Sequence, residues 1–273
     1  MASYYTTRRS GAVDTRESVI LENEGQRIFG VLHRPLNVSS APVVLFCHGL
    51  AGVKTGTSRA YVLLSTRLAE AGIASFRFDC RGCGDSEGAF EEISLAGMFS
   101  DCRTALDHLA SAEGIDKERI GIFGRSFGGV LAAVTALHSD CIKSMALWCP
   151  MFSGKQWQDQ WQLIQTGSVP QDIANEMMRV DGQQGSFDFF ESFFSIDLAG
   201  DFPSLAKIPL LHIHGENDAR VHISHAEDYA RYRGKQPAET RFIRLPKSDH
   251  DFSDYEEKEQ AFNETVNWFR DTL

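Results

Sequence analysis

Three residues of unlike chemistry follow three different apolar runs. Ser126 follows 119–124 in "RIGIFGRSFGGV", Asp218 follows 208–215 in "HIHGENDARV", and His250 follows 240–246 in "KSDHDF". A serine hydroxyl is a weak nucleophile at neutral pH, so a base must take its proton as it attacks. Histidine suits that task because its pKa lies near the working pH. A carboxylate holds the imidazole in one tautomer and stabilises the imidazolium that forms. Together the three residues are the inventory for nucleophilic acyl transfer. Glu216 and Asp201 rival Asp218 as the acid, and His250 is one of nine histidines. The glycines at 124 and 128 have a role here too. A strand that turns sharply into a helix at its nucleophile leaves no room for neighbouring side chains, and the helix that begins there aims its first N–H groups at the site.

The elements that must position these residues alternate regularly. "SVILEN" (18–23) and "RIFGVLHR" (27–34) read as an antiparallel pair around a turn at Asn23, Glu24 and Gly25. Further strands are predicted at 42–47, 73–79, 119–124, 142–149, 208–215 and 240–246. Between them lie helical patterns at 58–72, 93–110, 128–138 and 256–271; in 93–110, Leu95, Met98, Phe99, Cys102, Leu106 and Leu109 share one face. Strand and helix in alternation mean right-handed βαβ units and a mostly parallel sheet of eight strands, flanked by helices, with the first two antiparallel at one edge. The fold class is therefore α/β, in a single domain over 1–273. In such a sheet ligands bind beyond the carboxyl ends of the strands, where Ser126, Asp218, His250 and the loop "HGLAG" (48–52) stand. Residues 151–206 break the rhythm. They show no strand pattern yet hold Trp157, Trp161, Phe187, Phe189, Phe190, Phe193 and Phe194. So long a stretch is not expected to be structureless, which predicts a mostly helical cap over the sheet, divided at the "GQQG" of 182–185. Trp157 and Trp161, four apart and hence on one face of a helix, are the candidates to line a substrate pocket. The four phenylalanines of 189–194 are assigned mainly to packing.

These stretches resemble the α/β-hydrolase superfamily. "GRSFG" matches its G-x-S-x-G nucleophile elbow, "HGLAG" its oxyanion loop, and "FDCRGCGDSEG" (78–88) the Asp-x-Arg-Gly-x-Gly-x-Ser turn after its fourth strand. "HGENDARV" and "DHDF" look like its acid and base loops, and the chain order Ser, Asp, His agrees with it. The resemblance runs from about residue 18 to the end, and within the superfamily is greatest to small bacterial feruloyl (cinnamoyl) esterases and the related serine aminopeptidase and monoacylglycerol lipase group. It implies an α/β-hydrolase fold with Ser126 as nucleophile, His250 as base and Asp218 as acid. The backbone N–H groups of Leu50 and Phe127 would hold the oxyanion, and no cofactor is implied. Serine at the elbow separates the chain from relatives with a carboxylate or cysteine nucleophile. The implied function is a serine carboxylesterase acting on a small-molecule ester with a small to medium apolar or aromatic acyl group. An aminopeptidase or amidase, a thioesterase and an acyltransferase built on the same triad stay open.

Composition narrows the partners. The chain has 273 residues, is 42% hydrophobic, and carries 27 Lys and Arg against 37 Asp and Glu, a net charge of −10. An acidic surface opposes nucleic acid and anionic membranes, no apolar run spans a bilayer, and a homo-oligomer stays open. The first residues hold no apolar leader segment. With six scattered cysteines that predicts reduced thiols and a cytoplasmic location. His212, His214, His222 and His225 crowd one stretch but lack a second set of ligands, so no metal is expected. Cys80 and Cys83 form a C-x-x-C that leads into a glycine turn instead of a helix, which argues against redox chemistry. His48 is read as a structural hydrogen-bonder.

Overall fold

The computed structural model describes residues 13–235 and 237–273, so the leader reading at the very N-terminus falls outside the described residues. Its centre is an eight-stranded sheet. The strands are β1 (Asp14–Asn23), β2 (Gln26–Pro35), β3 (Ala41–Cys47), β4 (Ala74–Phe78), β5 (Ile115–Arg125), β6 (Ile142–Trp148), β9 (Leu210–Gly215) and β10 (Thr240–Leu245), with β7 and β8 in the segment between β6 and β9. They lie in the order β1-β2-β4-β3-β5-β6-β9-β10. The β1–β2 and β2–β4 pairs are antiparallel and the others parallel. The fold is that of an α/β hydrolase, as the sequence predicts. Glu24 and Gly25 join β1 to β2 with φ of 52° and 79°, the left-handed pair that a two-residue hairpin turn requires.

Central strands are buried on both sides because both faces of the sheet are covered. Every residue of β3, β4 and β9 is buried. Along β3 the pleat sends Val43, Leu45 and Cys47 into one core and Val44 and Phe46 into the other. The second core lies under α1 (Ala60–Glu70) and α8 (Tyr255–Thr272), and the first under α2 (Leu95–Ser111) and α3 (Phe127–Leu137). Ser94 caps α2 by accepting the Gly97 N–H at 3.0 Å, and Asp254 caps α8 by accepting that of Glu257 at 3.0 Å. A further helix, α7 (Ser224–Arg231), begins at the end of the histidine-rich stretch.

The segment between β6 and β9 is helical, with α4 (Gln158–Gln165), α5 (Gln171–Met177) and α6 (Phe187–Phe194). One expectation about it needs correction. The segment is not free of strand: β7 (Arg179–Val180) and β8 (Gln183–Gln184) form a short antiparallel hairpin. Asp181 and Gly182 make its turn with φ of 49° and 81°. Asp-Gly is a strong hairpin signal, but two-residue strands are too short to show alternation.

Candidate active site

At the end of β5 the chain turns into α3 through Ser126, which sits at φ 58°, ψ −128°. That conformation is uncommon for a residue with a Cβ. It is held from both sides. The Ser126 N–H donates to Trp148 O at 2.9 Å, and its carbonyl accepts from Gly129 N–H at 2.9 Å and Met151 N–H at 3.0 Å. The glycine argument holds in atomic terms: a Cβ on Gly124 would lie 2.3 Å from Gly128 O, and one on Gly128 2.2 Å from Cys47 O. Phe127 is the first residue of α3, so its N–H is one of the donors that a helix start leaves without an intrahelical acceptor.

The loops after β9 and β10 meet. His250 Nδ1 lies 2.7 Å from Asp218 Oδ2, while Asp218 Oδ1 accepts the N–H groups of Arg220 at 2.9 Å and Val221 at 2.8 Å. Burial alone would push the Asp218 carboxyl up, but the His250 hydrogen bond and charge and the Val221 N–H bring it below its ordinary value. An ionised Asp218 accepts the Nδ1 proton of His250, which leaves Nε2 with the lone pair that a base needs. His214 supports the acid loop from β9, with Nε2 2.8 Å from Val221 O and 3.5 Å from Asp218 Oδ2. The rival acids Glu216 and Asp201 are both exposed. Sequence reasoning missed Cys149, whose buried sulfur lies within 4.8 Å of the ligand atoms of Asp218 and His250.

Behind Ser126, the loop after β3 comes so close that a Cβ on Gly49 would lie 3.2 Å from Ser126 Cβ. His48 holds this loop in place. Its Nδ1 lies 2.8 Å from Gly49 O, and its Nε2 accepts the Cys80 N–H at 3.0 Å, a structural role. Asp79 continues the support. Its buried carboxylate accepts the Lys54 backbone N–H and ammonium, each at 2.5 Å, and the Asp85 N–H at 2.9 Å. The Asp-x-Arg-Gly-x-Gly-x-Ser turn therefore braces the loop that carries Leu50. Within it, Cys83 is buried and its thiol is pushed up to about 12 by burial and by Asp79 and Asp101, so C-x-x-C is not a reactive pair. All six cysteines are free. The crowded histidines have other partners: His225 Nδ1 accepts the Phe152 N–H at 3.0 Å, and His222 Nδ1 lies 3.0 Å from Ser224 Oγ.

A cavity of about 420 Å³ is lined by Ser126, His250, Leu50 and Phe127 together. Its cap side includes Trp157, Phe190, Phe193 and Phe194. Trp161 does not line it, which corrects the pocket assignment. Its ring is buried between Phe187 and Phe194, at centroid distances of 4.9 and 5.1 Å. The two tryptophans do not share a helical face, because Trp157 ends a 3-10 turn (Gly154–Trp157) before α4 begins. The phenylalanines assigned to packing do both tasks: Phe190, Phe193 and Phe194 join the core and also face the cavity. The pattern "FDFFESFF" contains the signal, since an eight-residue helix with five phenylalanines has more apolar surface than one packing face uses.

Comparison with known proteins agrees with the fold. The structure superposes on Est1E from Butyrivibrio proteoclasticus, solved with ferulic acid bound, with a TM-score of 0.73 at 21% identity, covering 92% of this chain and 98% of that one. An esterase from Pyrococcus furiosus gives a TM-score of 0.73 at 16% identity, covering 95% and 92%. Among curated proteins, the uncharacterized protein YfhR of Salmonella typhi is 31% identical over 225 residues, 80% of this chain and 66% of its own length. The quorum-quenching protein AidA of Acinetobacter baumannii is 30% identical over 124 residues, 45% of this chain and 40% of its own. The matched stretches thus span less than two thirds of these relatives. A sequence model of the prolyl oligopeptidase family matches residues 59–273, which include Ser126, Asp218 and His250. The chain belongs to the prolyl oligopeptidase family, a group of serine hydrolases built on the α/β-hydrolase fold.

Proposed function

We propose that the chain hydrolyses carboxylic esters with small to medium apolar or aromatic acyl groups, through an acyl-enzyme on Ser126. The observation that carries this reading is the 2.7 Å His250–Asp218 contact beside a cavity shared with Ser126. In the first step Ser126 Oγ bonds to the ester carbonyl carbon while His250 Nε2 takes the hydroxyl proton. The oxyanion sits against the N–H groups of Leu50 and Phe127. Collapse breaks the bond to the alcohol, which leaves with the proton from His250. Water then attacks the acyl-enzyme with His250 as base, releasing the acid and restoring Ser126. The acyl preference rests on Phe190, Phe193, Phe194 and Trp157, since apolar-lined clefts of this size bind by burying ligand surface. Ferulic acid in the Est1E structure, an aromatic acid in a similar fold, is in line with it.

The test is a panel of p-nitrophenyl and hydroxycinnamate esters, matched amides and matched thioesters, run with the native chain and Ser126→Ala. Ester turnover is expected to exceed amide turnover and to fall by at least about 1,000-fold in Ser126→Ala. Full activity in Ser126→Ala removes the serine mechanism. Amide turnover above ester turnover moves the chain to the peptidase chemistry for which the family is named.

A further inference from the structure

Residue 125 occupies the variable position of the elbow just before the nucleophile, and the structure places an arginine there whose side chain turns inward. Its guanidinium reaches two further segments of the site. One nitrogen donates to the backbone carbonyl of His250 at 2.7 Å and to Asp251 Oδ1 at 2.5 Å. The other donates to Thr57 Oγ1 at 3.4 Å, in the stretch that follows the oxyanion loop. The side chain is only 12% exposed, while that of Asp251 is 32% exposed. Arg125 is therefore a mostly buried charge with its counter-ion on the base loop. Burial alone pushes the Asp251 carboxyl up, yet Arg125 and the Thr57 hydroxyl hold it below its ordinary range, so the pair is ionised.

We propose that Arg125 is a positioning residue: it clamps the base loop to the nucleophile elbow and so sets the approach of His250 to Ser126. This rests on the serine mechanism proposed above. The geometry suits arginine in particular. A planar fork can meet a carbonyl, a carboxylate and a hydroxyl in fixed directions, whereas a lysine ammonium is one flexible point charge. The bond to the His250 carbonyl matters most, since it fixes the backbone of the base itself, while Asp218 orients the ring from its other end. Without Arg125 the ring would keep its Asp218 bond but the loop would lose its attachment to the elbow. A displacement of about 1 Å between reacting groups can cost on the order of 100-fold in rate. Arg125, Thr57 and Asp251 also line the cavity, but their polar groups are engaged with one another; ground-state binding would change little, because the apolar cap holds the acyl group.

Steady-state kinetics on Arg125→Met, Arg125→Lys and the double variant Arg125→Met/Asp251→Asn test the assignment, with thermal melting as a check of folding. The double variant removes both charges and leaves no buried carboxylate without its partner. For both Met-containing variants kcat is expected to fall about 10- to 100-fold with KM within about threefold of the native chain, and Arg125→Lys is expected to lie between. A native-like kcat in any folded Met-containing variant overturns the assignment, as does a loss confined to KM. If a Met variant does not fold, Arg125→Lys decides: full kcat there overturns it, and a reduced kcat at unchanged KM supports it. Ser126→Ala keeps the two readings apart. Activity surviving in Ser126→Ala refutes the serine mechanism, whereas an inactive Ser126→Ala beside fully active Arg125 variants refutes the clamp alone.

Discussion

Ser126 is held where a side chain is costly. Its φ of 58° with ψ of −128° is a region that glycine enters freely and other residues enter at roughly 1–3 kcal/mol. The close approaches at Gly124 and Gly128 leave the turn no way to relax without opening the contact between α3 and β3. Strain at Ser126 is thus the consequence of presenting a hydroxyl at the head of a helix. Function and stability should therefore separate at this residue. Ser126→Gly is expected to be inactive yet more stable than Ser126→Ala by about 1 kcal/mol, measured by urea unfolding at neutral pH. A Ser126→Ala variant more stable than Ser126→Gly by about 0.4–1 kcal/mol, the unfolded-chain entropy difference alone, would show that the turn carries no strain. The comparison is made with alanine because both variants lose the hydroxyl, which leaves the Cβ and its effect on unfolded-chain entropy as their difference.

At the scale of elements, the cap is where packing and binding are hardest to tell apart. Trp161 is 3% exposed and lies in the aromatic layer of α4 and α6, away from the cavity. Phe193 touches Phe127 at a centroid distance of 5.4 Å and lines the cavity as well. Trp161→Ala should accordingly cost about 3–5 kcal/mol of stability and leave acyl-chain preference unchanged. Phe193→Ala should shift preference toward longer or bulkier acyl groups, seen in kcat/KM across a p-nitrophenyl ester series. The opposite pattern would move the acyl pocket to the outer side of the cap. These two residues also show what was legible in the sequence. All eight sheet strands could be read: the central ones are short runs buried on both faces, and the partly exposed edge strands β1 and β10 still stand between turn signals. The ends of β5, β9 and β10 then led to Ser126, Asp218 and His250. The cap resisted the same treatment. Its helices have seven or eight residues, about two turns, so a four-residue spacing cannot establish that two side chains share one helix. Trp157 in fact sits in a 3-10 turn. Arg125 was legible only as an unspecified residue of the elbow, since its partners lie in two segments, at Thr57 and at His250 and Asp251, both far from it in the chain.

At the scale of the whole molecule, the buried histidines other than His250 set how stability responds to acid. His33 and His225 are both lowered from 6.5 to about 4, in each case first by burial. Arg77 adds to the effect at His33, and the neighbouring His214 and His222 add to it at His225. His33 is neutral where it stands, with Nδ1 2.7 Å from Asp14 and Nε2 accepting from Arg77 at 2.7 Å. His212 and His214 are lowered as well, again chiefly by burial. Between about pH 6.5 and pH 4 the unfolded chain therefore binds protons that the folded chain refuses. The stabilisation from each neutral histidine is complete above pH 6.5 and is lost as pH falls toward 4. For His33 and His225 the loss is about 1–3 kcal/mol each. The net charge of −10 pulls the other way, since acid relieves repulsion among surface carboxylates. Those charges are screened within about 8 Å at physiological salt, so burial should dominate. Urea midpoints at 0.15 M salt are expected to fall steadily from pH 7 to pH 4.5. In His225→Asn the fall should be shallower, because the amide oxygen can accept the Phe152 N–H without taking up a proton. A midpoint that stays level or rises on acidification would mean that surface repulsion, and not the buried imidazoles, governs the acid side of the stability curve.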